Sequence, residues 1–285
     1  MNNYRVYLFG NGWGAVAACN GLLKASFEVF ILEQDAELEA LGARYSETGM
    51  DALDGTLMVF AGYKTIVPSS VLEKNTCINV HYSLLPKYRG FHSTVWAILN
   101  DEPELGLTVH LMDEYIDNGP IIAQFKVENN HSDTSTMYMQ EFNAYIASEL
   151  GIIVKEFIDG KITPRVQDKT KASWVGKRNL EDCRIDFDQS IKYLKAFFRA
   201  LVPPYPLPFF DAAGVRYHVT DVAFFPSDVV THTGRILNID EDGLWIKVRD
   251  GYMIVRELVD ANGARANFSS FKIGQFVNKL FLFYR

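Results

Sequence analysis

Apolar residues in the first half of the chain gather in short, nearly continuous runs, and more polar, amphipathic stretches separate these runs. Continuous apolar runs of this length are typical of strands that are buried on both faces of a sheet. Helices should then cover both faces, and the composition and spacing of 15–25 predict one of them. The predicted strands are 4–10, 27–33, 56–62, 77–83, 106–112 and 119–127.

The pattern changes in the second half of the chain. A long amphipathic helix is predicted over 134–160, because apolar residues recur at spacings of three and four and Gly160 ends the pattern. A polar stretch follows, then a helix over 189–201 and four short β-like runs separated by glycine turns, which indicates a small antiparallel domain.

The predicted fold class is therefore α/β. It combines a Rossmann-like, mostly parallel sheet, covered by helices on both faces, with a small C-terminal antiparallel β domain. The predicted boundaries are an N-terminal domain over 1–165, a linker over 166–188, and a C-terminal helix and β domain over 189–285.

Composition narrows the class of protein. The chain has 285 residues, 48% of them hydrophobic, and a net charge of −7, so we expect a folded protein with no general attraction for nucleic acid or anionic membranes. Cys19, Cys77 and Cys183 are too widely spaced for a metal motif or a disulfide framework. The N-terminus lacks a signal-peptide pattern, and no apolar stretch reaches the ~20 residues of a membrane span. These features predict a cytoplasmic protein.

A glycine-rich turn, GNGWGA at 10–15, lies at the first strand–helix junction. Glycines there let the backbone approach a phosphate, although the spacing differs from the dinucleotide pattern G-x-G-x-x-G. Glu33 and Asp35, at the end of the second strand, would imitate the acid that binds ribose. Three interpretations stay open: a nicotinamide dinucleotide site, another anion or substrate contact through Gly12 and Trp13, and a tight turn.

The stretch NVHYSLLPKYRG, 79–90, follows an apolar strand. Side chains two apart on a strand share a face, so Asn79 and His81 should project together at the carboxyl end, where open α/β sheets bind ligands. An amide donor and an imidazole suit acyl transfer, in which an oxyanion develops and a proton moves. The alternative is a buried histidine bonded to backbone, beside a turn asparagine.

A second polar stretch, VHLMDEYIDNGPII at 109–122, carries an acidic loop between two strands. A carboxylate near an imidazole orients it and favours its protonated form, and Asp117 is the natural candidate for this role. Taken alone, Asp117 fits turn chemistry equally well, because Asp-Asn-Gly is a common turn sequence.

Together the two stretches resemble the folate-dependent formyltransferase family. The family hallmark is Asn-x-His followed by Ser-Leu-Leu-Pro and a glycine, with an aspartate ahead of a glycine turn further along the chain. Similarity continues in MVFAGYKTIVP at 58–68, in GKRNLEDCRIDF, and in FFRALVPPYP, which resembles the start of a second domain in members that act on tRNA or sugars. The chain looks most like the nucleotide-sugar N-formyltransferases, which are related to methionyl-tRNA formyltransferase.

The resemblance implies a reaction and a set of roles. The donor would be 10-formyltetrahydrofolate, the acceptor an amine, and no metal would be needed. Asn79 would donate a hydrogen bond to the tetrahedral oxyanion, His81 would relay the proton of the attacking amine, and Asp117 would tune His81. The folate-binding residues carried over from the family are Tyr63, Lys64, Thr65, Ile66, Met112, Asp113, Glu114, Tyr115 and Ile116.

The family divides by acceptor into enzymes for glycinamide ribonucleotide, initiator methionyl-tRNA and nucleotide-linked amino sugars. The extra domain argues against the first. The segment 33–55 holds seven acids against the single cation Arg44, which argues against RNA. We therefore expect a dTDP- or UDP-linked amino sugar, used for a surface polysaccharide such as the O-antigen of lipopolysaccharide. The candidate substrate contacts are Gly12, Trp13, Lys87, Tyr88, Arg89, His92, Tyr205 and Phe209.

Alternatives to the sugar enzyme remain. They are a methionyl-tRNA formyltransferase, a nicotinamide oxidoreductase built on the glycine-rich turn, and a non-catalytic module that senses a ligand. The apolar, aromatic stretch 276–285 would be hard for a small domain to cover, so a homodimer through the C-terminal region is expected.

Overall fold

The computed structural model describes residues 4–278 of the chain. These divide into two compact units. Within the described residues, unit 1 contains 4–97, Glu102–Asn129 and Met137–Lys177, and unit 2 contains Ile98–Asp101, Asn130–Thr136 and 178–278. The predicted linker, 166–188, is therefore divided between the units.

Unit 1 is built on a seven-stranded sheet with the order β3-β2-β1-β4-β5-β7-β8, in which the strands from β3 to β5 run parallel. A two-stranded parallel pair, β6 and β9, lies beside it in the same unit. The strands are β1 (Arg5–Phe9), β2 (Glu28–Ile31), β3 (Arg44–Tyr45), β4 (Leu57–Ala61), β5 (Thr76–His81), β6 (Arg89–Gly90), β7 (Glu104–Leu111), β8 (Ile121–Glu128) and β9 (Trp174–Val175).

Helices connect the parallel strands, and a long helix follows the sheet. The mostly parallel α/β class expected from the apolar pattern is confirmed, and the helix predicted over 134–160 is present as the fifth helix. The helices in the first part of the chain are α1 (Gly12–Lys24), α2 (Ala36–Leu41), α3 (Ser69–Leu72), α4 (Ser93–Leu99) and α5 (Ser135–Ile158).

The last two strands of the sheet reverse direction, which the apolar pattern did not reveal. β7 pairs antiparallel with β5, and β8 pairs antiparallel with β7. The connection between β7 and β8 is too short for the crossover that parallel strands need. A continuous apolar run indicates burial on both faces but carries no direction, so periodicity alone does not distinguish the two arrangements.

Helices α1 and α5 approach each other closely through glycines. A Cβ at Gly151 would lie 2.2 Å from the carbonyl oxygen of Gly21, and a Cβ at Gly21 would lie 2.4 Å from the carbonyl oxygen of Ile146. Real Cβ atoms do not approach backbone oxygens so closely, so the helices must move apart to admit a side chain at either position.

We expect Gly151→Ala to destabilise the protein by about 1–3 kcal/mol, the usual cost of overpacking, even though alanine favours a helix. Gly49→Ala is the matched control, because no atom lies within 4 Å of its Cβ position. Urea unfolding of both variants measures the effect. Equal stability of Gly151→Ala and the unmodified protein would contradict the close approach of the helices.

Unit 2 contains a five-stranded antiparallel sheet with the order β10-β11-β14-β13-β12. The strands are β10 (Phe209–Ala212), β11 (Val215–Pro226), β12 (Ile236–Asp240), β13 (Gly243–Val248) and β14 (Gly251–Asp260). The helix α6 (Ile191–Ala200) occupies the region predicted as 189–201. The sequence predicted four strands here, and the structure has a fifth, β10, which forms a hairpin with β11. β10 was missed because it directly follows a proline-rich stretch, and prolines are unusual in strands.

Candidate formyl-transfer site

Strand β5 presents two polar side chains at its carboxyl end. Asn79 and His81 are two residues apart, and both contact the carboxylate of Asp117: Asn79 Nδ2 lies 3.3 Å from Oδ1 and His81 Nδ1 lies 3.3 Å from Oδ2. The backbone N–H of Gly90 also donates to Oδ2, at 2.8 Å. The structure thus brings the predicted amide, imidazole and carboxylate together in unit 1.

The reversal of β7 explains how Asp117 arrives there. β7 runs away from the carboxyl end of β5, and the loop 112–120 returns before β8 begins. Asp117 is therefore carried by a returning loop rather than by the end of a neighbouring strand. Its φ angle of 51° lies in the left-handed region, which aspartate adopts more readily than most residues.

His110 is a member of the cluster that the sequence did not single out. It lies opposite Asn79 in the β5–β7 pair and is 1% exposed. Its Nδ1 lies 2.7 Å from the carbonyl oxygen of Leu111, which only accepts, so Nε2 is left to accept a hydrogen bond from Asn79 Nδ2 at 3.1 Å. The motif HLMDEYIDNGP contained this histidine. Its contact with Asn79 depends on the pairing of β5 with β7, which the sequence did not predict.

The loop SLLPKYRG holds a carbonyl against His81. His81 Nε2 donates to the Tyr88 carbonyl oxygen at 2.9 Å. The loop conformation is fixed by Ser83, whose hydroxyl donates to the Lys87 carbonyl at 2.7 Å, and by Thr108, whose hydroxyl donates to the Ser83 carbonyl at 2.7 Å. Because Nε2 carries a proton, Nδ1 of a neutral His81 presents its lone pair toward Asp117.

The charges of Asp117 and His81 are set by burial and by each other. Burial acts to raise the pKa of Asp117, but the neighbouring His81 and the Gly90 N–H outweigh it, and the pKa is lowered to about 2. Burial lowers the pKa of His81, and the Asp117 carboxylate opposes this effect. At neutral pH the resting site therefore holds an ionised carboxylate beside a neutral imidazole, which is ready to take up a proton at Nδ1.

We expect His81 to titrate below its ordinary pKa of 6.5 in the folded protein. In Asp117→Asn the midpoint should fall further, because the carboxylate that favours the imidazolium is gone. Above this midpoint the His81 side chain is neutral and can act as a base. The neutral form is converted to imidazolium as the pH falls through the midpoint. Histidine NMR titration of both proteins, with His81 assigned by substitution, measures the shift. A higher midpoint in Asp117→Asn would contradict this electrostatic account.

The predicted folate-binding residues lie on two loops that begin from one core cluster. Tyr63 and Met112 both pack against the cluster that contains Phe9 and Phe60. Beyond them the side chains are open to solvent: Ile66 is 81% exposed, Tyr115 64% and Ile116 55%. Lys64, Thr65 and Glu114 are also exposed, and Asp113 accepts a hydrogen bond from Asn118.

The predicted substrate contacts near the site differ in exposure. Trp13 is 51% exposed at the start of α1 and follows Gly12, whose Cβ position is open. Lys87 is exposed and pairs with Glu102 at 2.9 Å.

Two further candidates are already engaged by neighbouring groups. Tyr88 donates its hydroxyl to Glu102 at 2.7 Å, and burial together with this bond raises the pKa of Tyr88. Arg89 is buried, and its guanidinium bonds to Asn118 and Gln167 rather than facing solvent. His92 is partly buried and has a φ angle of 56°, directly before α4.

The remaining two candidates belong to unit 2. Phe209 is fully buried, and the guanidinium groups of Arg184 and Arg216 lie 4.8 Å and 3.8 Å from its ring centroid. As placed, its ring has no open face on which a base would stack. Tyr205 is partly buried, and burial raises its pKa.

Packing accounts for much of the glycine-rich turn. A Cβ at Gly10, where φ is 129°, would lie 1.9 Å from the Ala61 carbonyl oxygen, and one at Gly14 would lie 2.7 Å from the Tyr82 hydroxyl. Asp35 is engaged as the N-cap of α2, where it accepts from the N–H groups of Glu37 and Leu38. These contacts explain Gly10, Gly14 and Asp35 without a dinucleotide.

Within residues 4–278, no group of three or more histidine, cysteine, aspartate or glutamate side chains is arranged to hold a metal ion. No helix in the same range is long and apolar enough to span a membrane. Most of the aromatic stretch 276–285 lies outside the described residues, so the homodimer stays a prediction.

An amide donor, an imidazole and a carboxylate at the edge of an α/β sheet define a site suited to acyl transfer. Comparison with known proteins gives the family. A family model described as formyl transferase matches residues 25–148, and a model described as formyl transferase, C-terminal domain, matches 178–275. A methionyl-tRNA formyltransferase from Listeria welshimeri is 31% identical over 214 residues, 74% of this chain and 68% of that protein. The chain belongs to the formyltransferase family.

Solved structures share the fold. An N-formyltransferase from Helicobacter canadensis, solved with folinic acid and dTDP-3-aminofucose, superposes with a TM-score of 0.66 at 19% identity, over 93% of this chain and 100% of that chain. A methionyl-tRNA formyltransferase from Clostridium thermocellum gives a TM-score of 0.58 at 15% identity, over 88% and 100% of the two chains.

Proposed function

We propose that the protein transfers a formyl group from 10-formyltetrahydrofolate to the amine of a dTDP- or UDP-linked amino sugar, which then enters a surface polysaccharide. The convergence of Asn79, His81 and Asp117 carries this proposal. In the reaction, the acceptor nitrogen bonds to the formyl carbon, the bond from that carbon to the folate nitrogen breaks, and the proton lost by the amine passes to the folate nitrogen.

Each side chain has a proposed part in this chemistry. Asn79 Nδ2 donates to the oxyanion that develops on the formyl oxygen. In the resting site Asn79 Nδ2 has two contacts, and the oxyanion replaces the longer one, which is the contact with Asp117 Oδ1. His110 keeps the other contact and so orients the amide. His81 takes the amine proton at Nδ1, and Asp117 stabilises the resulting imidazolium.

The folate donor fits the two exposed loops. Tyr63 and Met112 pack on one core cluster, so the loops begin near each other, and Ile66, Tyr115 and Ile116 supply apolar surface for a flat aromatic ring system. The structural relative from Helicobacter canadensis carries folinic acid, a formylated folate, which supports a donor of the same class.

The surface charge of segment 33–55 supports a sugar acceptor. Glu33, Glu37, Glu39, Glu47, Asp51 and Asp54 are all exposed there. Such a surface repels the phosphates of RNA, whereas a nucleotide-linked sugar is small enough to avoid it. The dTDP-sugar bound to the Helicobacter canadensis relative supports an acceptor of this class.

A methionyl-tRNA formyltransferase is the second candidate, because the curated relative from Listeria welshimeri carries that name at 31% identity. The two acceptors are separated by parallel assays with 10-formyltetrahydrofolate, one on a panel of dTDP- and UDP-linked amino sugars and one on initiator methionyl-tRNA. Formylation of a sugar alone supports the proposal. Formylation of the tRNA alone, with salt-sensitive binding, overturns the sugar assignment.

The cytoplasmic location expected from the cysteines remains a proposal.

A further inference from the structure

The loop that carries Asp117 depends on support from outside itself. Asp117 adopts a left-handed φ of 51°, and only the loop 112–120 separates β7 from β8. Its carboxylate must nevertheless stay within 3.3 Å of His81 Nδ1. A loop of this kind, at a position where small displacements change the chemistry, needs fixed contacts to its backbone.

Gln167 supplies two of those contacts. Its side-chain Nε2 donates to the carbonyl oxygen of Asp117 at 2.9 Å and to that of Gly119 at 2.8 Å. The residue is only 5% exposed, so these bonds do not compete with bulk water. Both hydrogens of one buried amide are thus committed to the loop, one at the aspartate itself and one two residues later.

Arg89 holds Gln167 and the loop from the opposite side. Its Nη2 donates to Gln167 Oε1 at 2.7 Å, and its Nη1 donates to Asn118 Oδ1 at 3.0 Å. The neighbouring Gly90 N–H donates to the Asp117 carboxylate at 2.8 Å. Arg89 is 4% exposed, so the charge of its guanidinium is retained inside the protein, near two acids.

We infer that Arg89 and Gln167 form a clamp of positioning residues, which sets the proton affinity of His81 by fixing the Asp117 carboxylate beside it. Gln167 reaches His81 through the Asp117 loop, where its donated hydrogen bonds end. The charge of Arg89 also acts on His81 directly and, like His110, lowers the pKa of His81, so the test changes Gln167 and leaves that charge in place. The inference rests on the proposed roles of His81 and Asp117. It differs from a purely structural role, which would affect folding without moving the titration of His81.

Gln167→Leu tests the clamp, because leucine lacks both donors and the acceptor. The His81 titration of the substrate-free protein should move to lower pH, in the direction of Asp117→Asn, since the carboxylate is no longer held beside the imidazole. With an acceptor that the protein formylates, kcat should fall about 10- to 100-fold while KM for the folate donor changes less than about threefold.

Gln189→Leu is the comparison variant. It removes an amide bond to Asp186 Oδ2 in unit 2, which involves neither the Asp117 loop nor the loop that contacts His81, so the His81 titration should stay unchanged. If Gln167→Leu does not fold, Gln167→Met replaces it with a more flexible side chain of similar volume.

A folded Gln167 variant whose His81 titrates as in the unmodified protein would overturn the clamp. A shift of equal size in Gln189→Leu would overturn it as well, because the effect would then be general. The NMR titration needs no substrate. Failure to find a formyl acceptor would therefore count against the proposed function and leave the test of the clamp intact.

Discussion

His81→Ala should reduce the rate of formyl transfer by about 10²- to 10⁴-fold, the range that a positioned acid–base group contributes. The reason is that the amine must lose a proton as its nitrogen bonds to the formyl carbon, and Nδ1 of His81 is the neutral base that Asp117 faces at 3.3 Å. The loss should fall mainly on kcat, because the imidazole assists the transition state more than substrate binding.

The control for this variant is His131→Ala. His131 is exposed and its Nδ1 lies 2.9 Å from Asp101, so the same substitution there removes a surface pair of small energetic value. Steady-state rates of the two variants, each checked by circular dichroism for folding, make the comparison. A folded His81→Ala protein that keeps more than about a tenth of the activity would remove His81 from the proposed mechanism.

Asn79→Ala should reduce kcat by about 10²- to 10³-fold, equivalent to about 3–4 kcal/mol, the cost of losing one preorganised oxyanion donor. The loss includes a second effect, because His110 and Asp117 then lose a hydrogen-bond donor inside the protein. KM for either substrate should change far less than kcat.

Asn238→Ala serves as the comparison for Asn79→Ala. Asn238 is exposed in unit 2 and donates to the Asp240 carboxylate. Rates and thermal unfolding are measured for both. An Asn79→Ala protein that raises KM and keeps kcat would indicate that Asn79 binds the ground state, contrary to an oxyanion role.

Much of the fold could be predicted because burial patterns are local. The runs around β1, β4 and β5, and the long helix α5, carry their periodicity in the sequence itself. Strand direction is not local, so the antiparallel pairing of β7 was not predicted. β10 was also not predicted, because its pairing with β11 is not visible in its own short sequence and it follows a proline-rich stretch.

The site follows the same division. Asn79 and His81 lie two apart on one strand, so their shared face could be predicted from spacing. Asp117 came from the resemblance of its motif. His110 and Gln167 could not be found in this way, because their partners are distant along the chain. His110 contacts Asn79, 31 residues away, and Gln167 contacts Asp117, 50 residues away. Neither position carries a local pattern that separates it from an ordinary buried polar residue.

The glycine-rich turn shows a pattern that the sequence alone left open between a phosphate site and a tight turn. From sequence, G-x-G-x-G beside an acid supports a phosphate or dinucleotide site. In the structure, the Ala61 carbonyl leaves no room for a side chain at Gly10, and Asp35 caps α2. Glycines required for close packing and glycines required for phosphate binding look alike in a single sequence, because both permit a close approach of backbone.

The most direct test of the account is mass spectrometry of the acceptor after incubation with 10-formyltetrahydrofolate. The protein, with Asp117→Asn as the inactive reference, is mixed with dTDP- and UDP-linked amino sugars and, separately, with initiator methionyl-tRNA. We expect one nucleotide-linked sugar to gain the mass of a single formyl group in place of a hydrogen, and only with the unmodified protein. Formylation of the tRNA alone, or equal sugar formylation by Asp117→Asn, would contradict it.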